Sequence, residues 1–158
     1  MYIRISIPTQ TLTLVQDERS VLTFPVSTAL NGAGEQNGSG CTPRGAHIIR
    51  AKIGAQMPEG AVFVGRRFTE EVYSDALAEQ FPKRDWILTR ILWLSGTEVG
   101  FNRLQNCDTM RRYIYLHGTP DSEPMGVPLS HGCIRMRNAD IITLFDLVPV
   151  GTEVFIEE

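Results

Sequence analysis

Apolar residues along most of this chain recur at every second position, in runs too short for helices. Ile3, Ile5 and Ile7 alternate, and Leu12 and Leu14 resume the pattern after Pro8. QDERS (16–20) is a polar turn, and VLTFPV (21–26) follows as a strand. A period of two with turn residues between runs means half-buried strands. NGAGEQNGSG (31–40) is a long Gly/Asn loop, of a kind often given to function in compact domains. Pro43 and Gly45 turn the chain into a strand through His47, Ile48 and Ile49. ILTRILWL (87–94) reads as a buried strand, YIYLHG (113–118) as another, and TEVFI (152–156) closes the chain.

Helical spacing is rarer. Ile141, Leu144, Phe145 and Val148 fall on one helical face, with Asn138 expected as the N-cap, Asp140 in the first turn and Pro149 as the stop. TEEVYSDALAEQF (69–81) gives a weaker helical pattern that Thr69 could cap. The residues therefore predict one mostly β domain over 1–158 with one or two short helices, and no repeat, linker or second domain. A chain of 158 residues buries roughly two-thirds of its unfolded surface, enough for a full core.

Composition excludes several functions. The formal net charge is −3 and no basic face is evident, so nucleic acid is not an expected partner. No stretch reaches the length of a membrane span. MYIRISIPTQ lacks the basic start, apolar run and cleavage site of a signal peptide, so a cytoplasmic location is expected. Three cysteines, Cys41, Cys107 and Cys133, are too few and too odd for a disulfide framework. Their spacing from the histidines does not match paired zinc ligands, and no metal is expected.

SHGCIRMRN (130–138) places Cys133 between His131 and Arg135. A free thiol is mostly protonated at neutral pH, and a histidine can take its proton or stabilise the thiolate. Two histidines are candidates. His131 lies two residues away. His117 ends a strand and opens the Pro/Gly-rich loop GTPDSEPMGVPL (118–129), which returns at Ser130 and can bring His117 beside the cysteine. Spacing alone does not choose between them, although His117 approaches from another strand. Gly132 permits close backbone approach, and the N–H groups of residues 132 and 133 are expected to face a developing oxyanion. Arg135 and Arg137 can bind carboxylate. Cys41 and Cys107 have no such neighbours and read as bystanders, with the Cys41 loop bordering the site.

HGTPDSEPMGVPLSHGCIRMRNAD (117–140) resembles the signature of the L,D-transpeptidase catalytic domain, or YkuD domain. FPVSTALNG (24–32), TPRGAHII (42–49) and VPVGTEVFI (148–156) extend the resemblance, while residues 55–108 match less well. The resemblance implies a YkuD-like β-sandwich or barrel and Cys-dependent acyl transfer on peptidoglycan stem peptides or muropeptides. Cys133 would be the nucleophile and His117 the base and acid, with Gly118 orienting His117 through its carbonyl. Ser130, His131 and Arg135 would shape the pocket. No metal or organic cofactor is implied. With a cytoplasmic location, removal of terminal D-Ala from free tetrapeptides (L,D-carboxypeptidation) is the expected reaction. Crosslinking by L,D-transpeptidation is the alternative, and a silent peptide-binding module is a third reading.

Overall fold

A computed structural model describes all 158 residues. Ten strands and two helices follow one another along the chain. They are β1 (Tyr2–Ser6), β2 (Thr11–Gln16), β3 (Arg19–Pro25), β4 (Gly45–Ile53), β5 (Ala61–Val64), β6 (Arg67–Val72), α1 (Asp75–Gln80), β7 (Ile87–Gly96), β8 (Tyr115–Thr119), β9 (Ile134–Arg137), α2 (Asn138–Leu147) and β10 (Glu153–Glu157). The fold is mostly β, as the sequence predicts, and its strands form one curled ten-stranded sheet.

The main path of the sheet runs β3-β2-β1-β10-β4-β7-β5-β6, and β8 hangs on β7 with β9 outside it. β1 and β10 pair in parallel, so the two ends of the domain lie side by side. β8 and β9 are also parallel. Parallel neighbours need a long connection, and residues 120–133 supply it. The β2–β3 hairpin turns on Asp17 and Glu18, both at positive φ (51° and 61°), the backbone handedness that matches the twist of a two-residue hairpin. No helix is long and apolar enough to cross a membrane.

A cluster of 19 buried residues forms the main core. Ile3, Ile5, Leu12 and Leu14 enter it from β1 and β2, Leu92 and Leu94 from β7, and Leu116, Ile134 and Met136 from β8 and β9. Ile141, Leu144, Phe145 and Val148 close it from α2 and its C-terminal end. Ile3, Ile5, Leu12 and Leu14 are the alternating positions read from the sequence, and Ile141, Leu144, Phe145 and Val148 the helical ones.

Two expectations are corrected. Residues 69–72 belong to β6, not to a helix starting at Thr69. Phe68 reaches back across the hairpin to Phe63, and Thr69 donates to the Val62 carbonyl, so pairing with β5 takes this segment. The helix that follows covers only 75–80, is capped by Ser74 and buries none of its residues. Asn138 likewise does not cap α2. Arg137 holds the N-cap position without a side-chain bond. The Asn138 amide is buried instead, accepting from Thr89 Oγ1 (2.5 Å) and donating to the Thr119 carbonyl (3.0 Å) and Asp121 (3.1 Å). A buried amide gains more from two strands and a loop that need its hydrogen bonds than from a solvated helix end.

His47 sits 1% exposed in β4. Its Nδ1 lies 3.0 Å from the Gly45 carbonyl and its Nε2 3.0 Å from Thr109 Oγ1, which a neutral ring satisfies by donating to the first and accepting from the second. Burial holds its pKa down to about 4, against a weaker upward pull from the Gly45 hydrogen bond. The unfolded chain, near its ordinary value of about 6.5, therefore takes up the proton first as pH falls. Stability from this residue is complete above pH ~6.5 and is lost progressively down to the folded value. Between pH 7 and pH 5 it should fall by about 2 kcal/mol, at 1.36 kcal/mol per pKa unit. Buried His117, also shifted down by burial, acts in the same direction. Urea unfolding at the two pH values measures this loss, and His47→Gln should remove the His47 share of it. An unchanged pH dependence in that variant would contradict the assignment.

Candidate active site

Alternation along β8 and β9 builds the site. Ile114, Leu116, Ile134 and Met136 point into the main core. The residues between them, Tyr115, His117, Cys133 and Arg135, line a cavity of about 510 Å³ on the other side. His117 stands opposite Arg135 in the β8–β9 register. The core therefore fixes one face of two paired strands, and the other face presents the chemistry.

His117 is 2% exposed. Its Nδ1 meets the Gly118 carbonyl at 2.6 Å, and a ring donating there keeps its lone pair on Nε2. Burial pushes the imidazole below its ordinary pKa, so it rests neutral. Gly118 can only be glycine here, because a Cβ would run into the Asn138 side chain and the Leu88 carbonyl.

The Cys133 thiol lies between two backbone groups, donating to the Tyr113 carbonyl (3.4 Å) and facing the Tyr115 N–H (3.3 Å). Tyr113 adopts φ +56°, a left-handed conformation sparsely used by bulky residues, immediately before the chain enters β8. Burial pushes the thiol up to about 12, and the Asp85 carboxylate adds to this. The Tyr115 N–H and the guanidiniums of Arg135 and Arg112 oppose it without overcoming it. The resting pair is thus thiol and neutral imidazole, not thiolate and imidazolium.

Ser130 shapes the turn before the cysteine. Its hydroxyl donates to the Cys133 carbonyl (2.5 Å) and accepts the Gly132 N–H (3.2 Å). The Gly132 N–H is therefore not free, contrary to the sequence expectation of two free donors, because Ser130 Oγ takes it. The Cys133 N–H makes no hydrogen bond and remains available. Gly132 is at φ +134°, and a Cβ there would press on Ile114 and the Cys41 carbonyl. Thr42 donates to the Gly132 carbonyl (2.9 Å), so the loop carrying Cys41 does border the site.

His131 lies at the mouth, its side chain 74% exposed, with Nδ1 3.7 Å from Asp85. Asp85 also meets Arg135 at 3.4 Å. Arg137 is exposed and lies outside the cavity wall. Cys41 is half-exposed, Cys107 is buried with its thiol on the Leu104 carbonyl, and all three cysteines are free. Arg66, Asp85, Arg112 and Tyr115 are among the lining residues that the sequence does not point to. Tyr115 could have been found, since it shares a strand face with His117. The others come from turns and loops without a local pattern.

A buried neutral imidazole and a thiol on one wall of a cavity, with a free backbone N–H beside the sulfur, form a site suited to acyl transfer. The model of the YkuD L,D-transpeptidase catalytic domain matches residues 1–156, and the chain belongs to this family. Over 48 residues it is 52% identical to "Probable L,D-transpeptidase YbiS" of Escherichia coli (strain K12), covering 30% of this chain and 16% of that protein. Over 43 residues it is 46% identical to an L,D-transpeptidase-like protein, YqjB, of Bacillus subtilis (strain 168), covering 27% of this chain and 24% of that one. The matched segments thus span a minor part of these relatives. Among solved structures, L,D-transpeptidase 3 from Mycobacterium tuberculosis superposes with a TM-score of 0.60 at 16% identity, over 99% of this chain and 60% of that one. The L,D-transpeptidase from Xylanimonas cellulosilytica gives 0.55 at 24% identity, over 99% and 59%. At these identities the structures show a shared fold.

Because the resting thiol is protonated, its alkylation by iodoacetamide should rise about tenfold per pH unit from pH 7 to 9.5, following the thiolate fraction. A rate that levels off near pH 7 would instead reveal a preformed thiolate–imidazolium pair.

Proposed function

We propose that this domain is a cysteine-dependent L,D-carboxypeptidase of the L,D-transpeptidase family, removing D-Ala from peptidoglycan tetrapeptides through a thioester. The observation that supports it most is the placement of His117 and Cys133 on one cavity wall, with His117 neutral and pinned through Nδ1.

Cys133 Sγ attacks the carbonyl that precedes D-Ala, and its proton passes to His117 Nε2. Coupling the two steps matters because a thiol near pKa 12 is a poor nucleophile until the base takes its proton. The Cys133 N–H faces the oxyanion. His117 then protonates the leaving amine, D-Ala departs and a thioester remains. Water, relieved of a proton by His117, hydrolyses it. Ser130 holds the turn that aims the sulfur. Arg135, steadied by Asp85, and His131 at the mouth border the peptide. The exposed mouth, where His131 and Asp85 face solvent, gives water access to the thioester.

One observation favours transpeptidation as the second reading. A further cavity of about 420 Å³ abuts the first across Arg112, Tyr113 and His131 and offers room for an acceptor peptide.

Purified protein given a free tetrapeptide should release D-Ala and leave tripeptide, with crosslinked dimers minor even when acceptor is in excess. Product masses decide this, and dominant dimers would establish the transpeptidase instead. Cys133→Ala should retain its fold and lose turnover. His117→Ala should slow thioester formation by roughly 10²–10⁴-fold. Substantial activity left in Cys133→Ala would remove that residue from the chemistry.

A further inference from the structure

β7 breaks its register directly opposite His117. Leu88 pairs with Gly118 and Ile91 with His117, so Thr89 and Arg90 are extra residues set against the single step from His117 to Gly118. Thr89 carries this bulge at φ +75°, a left-handed backbone that a β-branched residue rarely adopts. Its side chain is completely buried. A strained conformation of this kind persists only where its surroundings over-determine it.

Arg90 and Gly54 hold the bulge from behind. Arg90 is buried, yet its guanidinium rests on backbone carbonyls, those of Thr89 (2.6 Å) and Met57 (2.9 Å), and not on a carboxylate. A Cβ on Gly54 would come within 3.2 Å of the same Thr89 carbonyl.

On the other side, Thr89 meets Asn138 and Gly118. Its hydroxyl accepts the Gly60 N–H (3.0 Å) and lies 2.5 Å from Asn138 Oδ1. Gly60 supplies a proton, so the hydroxyl directs its own proton to Asn138, and the amide must turn its oxygen to Thr89. The amide nitrogen then faces away and donates to the Thr119 carbonyl (3.0 Å) and to Asp121 (3.1 Å). A Cβ on Gly118 would lie 3.1 Å from Thr89 Cβ and would also strike the Leu88 carbonyl and Asn138 Oδ1. The peptide unit joining Gly118 to Thr119 is therefore held at both ends. Packing on Thr89 and Leu88 fixes its Gly118 end, and the Asn138 amide fixes the carbonyl that follows it. The carbonyl inside that unit is the one that meets His117 Nδ1 at 2.6 Å.

We propose that Thr89 is a positioning residue for His117. Its hydroxyl sets the Asn138 amide, and through it the Gly118 carbonyl that keeps the imidazole proton on Nδ1 and the lone pair on Nε2. The effect on turnover rests on the reading of His117 as the proton acceptor of Cys133; the effect on the tautomer does not.

Thr89→Val keeps the side-chain shape and the backbone strain and removes only the hydroxyl. In D-Ala release from a tetrapeptide its kcat should fall roughly 10–100-fold, the upper end being the loss for a misplacement of about 1 Å, while KM changes less than about twofold. Heteronuclear NMR of isotope-labelled histidine at mildly alkaline pH reads the tautomer, with the His117 signals identified by their absence in His117→Gln. Wild type should show His117 protonated on Nδ1 alone, and Thr89→Val a mixture containing the Nε2–H form. Thr89→Ser, which restores the hydroxyl, should bring both kcat and spectrum back toward wild type. An unchanged kcat and spectrum in Thr89→Val would overturn the proposal, as would a loss of kcat with the Nδ1–H tautomer intact, or one that Thr89→Ser fails to repair. Should Thr89→Val fail to fold, Thr89→Gly adopts the same φ without strain and also lacks the hydroxyl. The same mixture is expected from it, and a pure Nδ1–H form would overturn the proposal. If the wild type releases no D-Ala, the hydrolytic reading fails by itself, and the tautomers of wild type and Thr89→Val still decide the role of Thr89.

Discussion

The parallel pairing of β8 with β9 is the constraint on which the site depends. Leu116, Ile134 and Met136 are fully buried on one side of this pair. A slip of one residue in either strand would put a histidine, a cysteine or an arginine into the apolar core, which costs far more than a slip between two polar faces. The same hydrophobic pattern that stabilises the domain thereby sets where His117 and Cys133 point. Asn138 reinforces it from the far end, tying β7, β8 and the loop at Asp121 through one buried amide. Gly118, where no Cβ fits, lets β8 approach that amide.

Burial on this wall has a chemical consequence. Both members of the pair are driven toward their neutral forms, the thiol upward and the imidazole downward. Burial of this kind keeps the thiol protonated, which makes it less reactive toward oxidants and stray electrophiles. Around the pair the cavity is cationic, with three arginines set against one aspartate. Such a lining raises the local concentration of anions near the sulfur.

Much of this was legible in the sequence, for identifiable reasons. Strand alternation at Ile3, Ile5, Leu12 and Leu14 and the helical stripe at Ile141, Leu144, Phe145 and Val148 are local patterns, and each maps onto the core. SHGCIRMRN located the cysteine turn. The helix expected from Thr69 failed because cross-strand contact between Phe63 and Phe68 outweighed a weak helical period. No local pattern separates Asn138 from a helix cap, because its partners, Thr89 and Thr119, lie far away in sequence. The Gly132 N–H was expected to be free because no local rule shows that Ser130 Oγ folds back on it. Arg66, Asp85 and Arg112 reach the cavity only through tertiary contacts of turns and loops. Residues 55–108, the segment with the weakest resemblance, supply two of these three.

We infer that the face set by β8 and β9 makes Cys133 an acyl-accepting nucleophile with His117 as its proton partner. Rapid mixing with a tetrapeptide, acid quench and intact-mass analysis test it most directly. The wild-type protein should gain the mass of a tripeptide acyl group, mapped by digestion to Cys133, within one turnover. The adduct should be absent from Cys133→Ala and form far more slowly in His117→Ala. Turnover without any adduct at Cys133, or an adduct forming as fast in His117→Ala as in the wild type, would contradict the account.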